Sequence, residues 1–159
     1  MAAALGLVTA AWATPSLGFL VNEVLAKGVN FDDIYQNAHI RTNPDGSISP
    51  WSAQIHARGA TDFYVQHLVL APGGYSGWHS HPGILIGTVV SGKIDFYDVN
   101  CQKRTVSAGQ VYFENGNVHG IINTGTENAD LSLAYLIKHD SPRRTEEAAP
   151  GCAVSTPIP

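Results

Sequence analysis

The sequence predicts an all-β protein whose antiparallel strands form a sandwich or a small barrel. From Trp51 onward, short apolar segments recur roughly every 8 to 12 residues, a spacing typical of such folds. The composition agrees, because the 159 residues include 16 Gly and 9 Pro while only 14% are charged. The expected strands are Ser52–Ala57, Phe63–Leu70, Leu85–Val90, Lys93–Asp98, Gln110–Phe113, Gly120–Asn123 and Leu131–Lys138.

Turn sequences separate these strands in order along the chain. Ser91-Gly92 lies between two apolar strands and is typical of a tight hairpin. Upstream of the strands, Gly28 to Ile40 has no clear period and is compatible with a short helix. The other turns are Arg58-Gly59, Pro72-Gly73-Gly74, Pro82-Gly83, Ala108-Gly109, Asn115-Gly116 and Thr124-Gly125.

Length and charge limit the kinds of partner. The chain has the size of one domain, and 44% of its residues are hydrophobic, enough to form a core. Its net charge of −4 comes without a basic stripe, so binding to nucleic acid is not expected. No apolar run reaches the roughly 20 residues that a membrane span needs.

The N-terminal residues resemble a secretory signal. Residues 1–13 are mostly small and apolar, and they end in Ala11-Trp12-Ala13, a small-x-small sequence that suits cleavage after Ala13. An ordinary N-terminal helix is the alternative, because no Lys or Arg precedes the apolar run. We therefore expect a secreted or extracytoplasmic protein. Its expected parts are a signal peptide (1–13), an N-terminal extension (14–50), a barrel (51–140) and a C-terminal tail (141–159).

Two cysteines agree with an oxidising compartment. An even count of this kind suits a disulfide, and Cys152 lies in a polar tail without apolar periodicity. A disulfide between Cys101 and Cys152 would join that tail to the barrel. Two free buried thiols are the alternative.

Histidines carry the chemical signal. His79 and His81 are two residues apart, so on a strand their imidazoles point to the same face. His119 follows the Asn115-Gly116 turn and can supply a third imidazole from another strand. Three imidazoles suit a divalent transition metal and leave coordination positions open.

These residues carry a family resemblance. The spacing of one set of glycines and histidines, followed downstream by a second set, resembles the two motifs of the cupin superfamily. The segment Gly77 to Gly83 is also similar to small secreted single-domain cupins of actinobacterial type. The resemblance implies a single-domain antiparallel jelly-roll β-barrel, with a metal held by the motif histidines. The matching residues are Gly73, His79, His81 and Gly92, then Gly109, His119 and Asn123.

Two departures from the motifs change the expected site. Leu85 stands where the first motif has a glutamate, so the carboxylate ligand of the family is expected to be absent. The second motif has Asn115 and Asn117 in place of a proline and a glycine. The expected site is therefore formed by three histidines and holds Fe, Cu, Zn or Ni. Mn is less expected, because it prefers oxygen ligands.

Other residues are candidates for the pocket, for the surroundings of the metal or for the surface. Glu114 is a candidate catalytic residue or a carboxylate that orients an imidazole, and the alternative is a solvated strand end. At most one of His67 and Gln66 should face the interior, since adjacent strand residues point to opposite faces. Leu85 and Ile121 are expected to line an apolar pocket. Residues expected to be structural or at the surface are His39, His56 and His139.

Two classes of function remain open. The first is a module that binds a metal through three histidines, with a small-molecule ligand or substrate in the barrel. The alternative is a metal-dependent enzyme of the dioxygenase type, with a lyase or an isomerase less expected. A homodimer is a further expectation, in which Ser16 to Ile40 wraps around a partner. The same segment could instead cover the mouth of its own barrel.

Overall fold

A computed structural model describes residues 15–151, and this part of the chain contains β-strands but no helix. The helix considered for Gly28 to Ile40 is therefore wrong, because these residues lie in two strands and the turn between them. None of the described residues forms a helix that could span a membrane. The strands are β1 Leu17–Asn30, β2 Ile34–Thr42, β3 Ile48–Ala57, β4 Thr61–Tyr75, β5 His79–Ser80, β6 Gly83–Ser91, β7 Lys93–Asp98, β8 Lys103–Ser107, β9 Val111–Glu114, β10 His119–Ile122, β11 Ala129–Lys138 and β12 Thr145–Glu146.

Ten strands form one antiparallel sheet that curls into a nearly closed barrel. One half has the order β1-β4-β11-β6-β9, and the other half has the order β8-β7-β10-β5-β12. Strand β4 joins the halves, because most of its length pairs with β1 and β11 while Tyr75 pairs with Ile122 on β10. The predicted class, an all-β antiparallel jelly-roll barrel, is confirmed.

The core lies inside the barrel, where alternate residues of each strand point. On β4, Leu68 and Leu70 are buried while the neighbouring His67 and Val69 are partly exposed. Apolar side chains from both halves pack against each other in this way. Removing their surface from water is the main source of stability in such a fold. The other buried members of this cluster are Leu85, Val89, Ile94, Val106, Tyr112, Ile121, Ala129, Leu131, Leu133, Tyr135 and Ile137.

The hairpin predicted at Ser91-Gly92 is wrong. Strand β6 pairs with β11 and β9, whereas β7 pairs with β10 and β8. Gly92 therefore carries the chain from one half of the barrel to the other. Its φ of +74° lies in the left-handed region, which glycine adopts without the steric cost that a Cβ brings.

A two-stranded arm, formed by β2 and β3, lies outside the barrel sheet. The strand expected at Ser52–Ala57 falls within β3, and its pairing partner is β2. Most residues of the arm are exposed. A two-stranded hairpin of this kind is marginally stable by itself in water.

Segments on both sides of the motif region pair with barrel strands. Strand β1 runs along β4, and β12 pairs with β5, placing part of the tail at one end of the barrel. Cys101 is buried beside Trp78, Tyr97 and Ile122. The signal peptide expected at 1–13 and Cys152 lie outside the described residues, so the signal peptide and the disulfide stay predictions.

Candidate metal centre

Four side chains from three parts of the barrel converge inside it. His79 on β5 and His119 on β10 are directly paired across the two strands, and His81 follows β5 by one residue. Glu114 is the last residue of β9. One potential ligand atom from each of the four lies within 4.8 Å of the others, and all four residues are buried.

The backbone fixes the orientation of all three imidazoles. Nδ1 of His79 lies 3.1 Å from the Gly77 carbonyl, and Nδ1 of His119 lies 2.7 Å from the Asn117 carbonyl. Nδ1 of His81 lies 2.6 Å from the carbonyl of Arg143. Because a carbonyl only accepts, each Nδ1 donates, and the Nε2 lone pair of a neutral ring is left for a metal. Hydrogen bonds of this type orient ligand histidines in metal sites.

The atoms that face each other are all acceptors. Oε2 of Glu114 lies 3.1 Å from Nε2 of His81 and 3.0 Å from Nε2 of His119. Despite these short distances, the three atoms have no hydrogen-bond partner among the described residues. Buried lone pairs that converge without a donor are costly, and a cation between them satisfies all of them. The donor set of three imidazoles and one carboxylate therefore fits a divalent transition metal.

Electrostatics keep His79 and Glu114 in the protonation states that a metal needs. Burial lowers the pKa of His79 well below its ordinary value, and the nearby His119 acts in the same direction, so the ring is neutral at pH 7. Burial raises the pKa of Glu114, but the close approach of the His119 and His81 rings outweighs burial and holds this pKa below its usual range. Glu114 is consequently a carboxylate at neutral pH.

The expectation of a site without a carboxylate is corrected by Glu114. Leu85 does occupy the motif position on β6, but Glu114 lies directly opposite it on the neighbouring strand β9. The carboxylate thus reaches the cluster from the next strand. Glu114 is only 4% exposed, so the interpretation as a solvated strand end is wrong. The strand periodicity could have indicated that Glu114 points inward, because Glu114 and Tyr112 are two residues apart and share the inner face.

A cavity of about 180 Å³ lies beside the cluster. Its walls include Gln66, Leu85 and Ile121, as well as His79, His81 and Glu114. His67 has the opposite phase to Gln66 and binds Asp130 on the outer face, at 3.0 Å. The volume is below the roughly 300 Å³ of pockets for drug-sized molecules, so it suits a small ligand.

The mouth of this cavity is formed by segments on both sides of the motif region. Ser16, Phe19 and Asn22 reach it from the N-terminal side. Arg143, Arg144 and Glu146 reach it from the tail, a polar contribution that the sequence analysis missed. The sequence of the tail has no apolar periodicity, so no local pattern indicates that it returns to the barrel.

The remaining histidines lie away from the cluster. His39 and His56 are exposed on the arm. Nδ1 of His139 lies 2.6 Å from a carboxylate oxygen of the buried Asp62. This contact holds the pKa of Asp62 below its usual value and gives His139 a structural partner.

Residues 66–135 match the family model described as "Cupin domain". The match covers 70 of the 159 residues and shows that this part of the barrel is similar to the cupin domain. No curated protein sequence matches the chain.

Solved structures that align with part of this chain include the following three. An oxalate oxidase in complex with the substrate analogue glycolate is 22% identical, with a TM-score of 0.46, over 53% of this chain and 45% of that chain. A cupin superfamily protein from Desulfitobacterium hafniense is 16% identical, with a TM-score of 0.43, over 48% and 68%. A predicted oxalate decarboxylase from Thermotoga maritima is 25% identical, with a TM-score of 0.42, over 50% and 82%. This chain spans less than half the length of the oxalate oxidase.

Proposed function

We propose that this protein is a secreted, metal-binding cupin that holds a small molecule in its barrel. The metal is bound by His79, His81, His119 and Glu114, and the ligand occupies the adjoining cavity. A disulfide between Cys101 and Cys152 belongs to the same proposal. The observation that carries the metal site is the convergence of buried acceptor atoms, with every imidazole Nδ1 already committed to a carbonyl.

The choice of metal follows from the donor set. Three nitrogen ligands and one oxygen ligand suit Fe, Cu, Zn or Ni. The carboxylate of Glu114 also removes the reason for placing Mn last, since Mn favours oxygen donors. We therefore propose one divalent transition metal from this group of five.

A metal-dependent oxygenase is the second candidate, and the wall of the cavity favours it. An all-apolar wall would suit binding alone, but Gln66, Arg143 and Glu146 place polar and charged groups beside the cluster. A redox metal at this position would supply activation of O2 next to a bound substrate. The protein's own residues would orient the substrate and limit the access of water.

Elemental analysis tests the metal site. The wild-type protein is expected to hold about one equivalent of metal, and the triple variant His79→Ala/His81→Ala/His119→Ala to hold none, because it loses all imidazole ligands. A matched control is His39→Ala/His56→Ala, which removes two exposed imidazoles from the arm and should keep the metal. If the wild type stays metal-free after loading with each of the five metals, the metal site is wrong.

The identity of the bound metal then separates the two candidates. Iron or copper calls for measurement of oxygen consumption with small phenols, thiols and diketones. Consumption that the triple variant lacks supports the oxygenase. Zinc or nickel at the same stoichiometry, without turnover, supports binding alone.

The arm presents an apolar face that the described residues leave largely exposed. Directly paired residues of β2 and β3 share a face, and on one face these pairs include Ile40 with Trp51, Ala38 with Ala53 and Gln36 with Ile55. Ile40 and Trp51 are each about half exposed, at 51% and 54%. The other face is polar and carries residues such as Asn37 and Gln54.

A second apolar surface lies on the outside of the barrel. Cross-strand pairs join Phe63 to Leu136 and Leu136 to Ile84, and Ile86 pairs with Phe113 in the adjacent row. Phe63, Ile84, Ile86 and Phe113 are all exposed. Contiguous apolar surfaces of this kind mark interfaces. We propose a homodimer in which each arm covers this surface on the other copy, a closed and symmetric arrangement.

The mass of the protein in solution tests the dimer. Wild type is expected to have twice the chain mass by light scattering, and both Trp51→Glu and Phe113→Glu should give the single-chain mass. Each places a charge in one of the two apolar surfaces. Gln54→Glu, on the polar face of the same strand, should leave the dimer intact. A wild-type protein with the mass of one chain would contradict the dimer.

A further inference from the structure

Arg143 is a cation in the cavity wall without an acidic partner among the described residues. Its Nη1 atom donates to Oε1 of Gln66 at 2.6 Å and to the hydroxyl of Tyr135 at 3.1 Å, both uncharged acceptors. A guanidinium has five N–H donors, so these two bonds leave the donors on Nε and Nη2 available. A charge in a partly enclosed cavity favours an anionic ligand.

The neighbouring charges do not neutralise Arg143. Arg144 is paired with Glu146, because its Nε and Nη2 atoms each donate to one carboxylate oxygen of Glu146. The bond from Nη2 is 2.7 Å long. Glu114 lies inside the imidazole cluster, where a bound divalent cation exceeds its single negative charge. The cavity beside an occupied metal site is therefore net positive, and Arg143 is its uncompensated cation.

The side chain of Arg143 is held in place before any ligand binds. Tyr135 donates to the same Gln66 oxygen at 2.6 Å, and Gln66 donates to Asn22 on β1. The guanidinium also stacks over the Tyr135 ring, 5.3 Å from its centroid. Because these contacts fix the guanidinium, binding an anion costs little side-chain entropy.

Arg143 is also connected to the cluster itself. The Tyr135 ring that carries the guanidinium lies edge-on to the His81 ring, with centroids 5.3 Å apart. The backbone carbonyl of Arg143 accepts the bond from His81 Nδ1. Arg143 and the cluster residues His79, His81 and Glu114 line the same small cavity, so a ligand in it can contact both the guanidinium and the cluster.

We infer that Arg143 selects small organic anions by binding their carboxylate group, while the other end of the ligand lies at the metal. This assignment rests on the proposed function, because it places the ligand in the same cavity. Planar carboxylates match the guanidinium fork in a bidentate manner that neutral amides of the same shape do not match. Arg143 is thus a specificity-determining residue supplied by the C-terminal segment.

The test uses acetate as the probe and acetamide as its neutral counterpart. Binding is measured by ligand-observed NMR on full-length protein, both metal-free and loaded with diamagnetic zinc. Wild type is expected to prefer acetate, and Arg143→Met should raise the Kd for acetate at least ~10-fold, the loss of a charge-assisted pair. The backbone carbonyl remains in this variant, so its zinc content should equal that of wild type.

Matched variants separate this role from a structural one. Arg41→Met removes the same charge from the arm and should leave acetate binding unchanged. Arg143→Lys keeps the charge but loses the fork, so it should restore only part of the affinity. Equal binding of acetate and acetamide, or equal acetate binding by Arg143→Met and wild type, overturns the inference.

The two proposals fail in different measurements. If zinc binds but acetate affinity does not depend on Arg143, the specificity inference fails and the metal site stands. If none of the five metals binds, the metal site fails. Acetate binding to the metal-free protein then still decides the role of Arg143.

Discussion

Replacing Glu114 with Gln is expected to move metal affinity and metal-free stability in opposite directions. In the metal-free protein, the new amide N–H can donate to Nε2 of His81 or His119, which otherwise face a third acceptor. Relieving one unsatisfied buried group stabilises by roughly 1–3 kcal/mol, so Tm should rise by a few degrees. The loss of a charged oxygen ligand should meanwhile lower metal affinity by about 100-fold or more.

Two measurements at pH 8 check this expectation. Thermal unfolding with a chelator present gives the metal-free Tm, and competition with a chromophoric chelator gives the metal affinity. Glu146→Gln is the control, since Glu146 lies at the mouth of the cavity and pairs with Arg144. A fall in both quantities for Glu114→Gln would mean that Glu114 has a structural role instead.

Ending the chain after Asp140 is expected to weaken metal binding by about 10- to 100-fold, although no ligand residue is removed. The deleted segment supplies the Arg143 carbonyl, which lies 2.6 Å from His81 Nδ1. It also supplies β12, which pairs with both residues of β5, including His79. Ser80 and Glu147 add a hydrogen bond of 2.7 Å between the same two parts of the chain.

The affinity of this truncated chain is compared with those of two full-length variants. Arg143→Met keeps the carbonyl and should bind metal like wild type. Thr145→Pro disturbs the pairing with β5 while keeping the length, because proline has no N–H and restricts the preceding residue. Far-ultraviolet circular dichroism reports whether the barrel persists in each. Unchanged metal affinity in a folded truncated chain would show that the tail does not position the imidazoles.

The sequence could predict those features that depend on local periodicity. Alternation along the strands indicated the β-fold, and the spacing of His79 and His81 placed two imidazoles on one face. Features that depend on register between distant strands were not accessible in this way. Glu114 faces the cluster because β9 pairs with β6, and the hairpin at Ser91-Gly92 fails because β6 and β7 belong to different halves.

The role of the tail was hidden for a related reason. The contribution of Arg143 depends on its backbone carbonyl and on side-chain hydrogen bonds to Gln66 and Tyr135. Gln66 lies 77 residues earlier in the chain, and Tyr135 lies 8 residues earlier. Neither contact leaves a periodic signal. Polar composition alone favours a solvated segment, and only the tertiary structure brings this one back to the barrel.

The residues that line the cavity come from two parts of the chain. All four side chains of the cluster lie within residues 66–135, the part that matches the cupin domain. The residues at the mouth all lie outside it, namely Ser16, Phe19, Asn22, Arg143, Arg144 and Glu146. Substitutions of these flanking side chains can therefore alter which molecule enters while the metal-binding side chains themselves are unchanged. A library of variants that seeks a new ligand should accordingly vary the flanking segments and keep the central 70-residue domain constant.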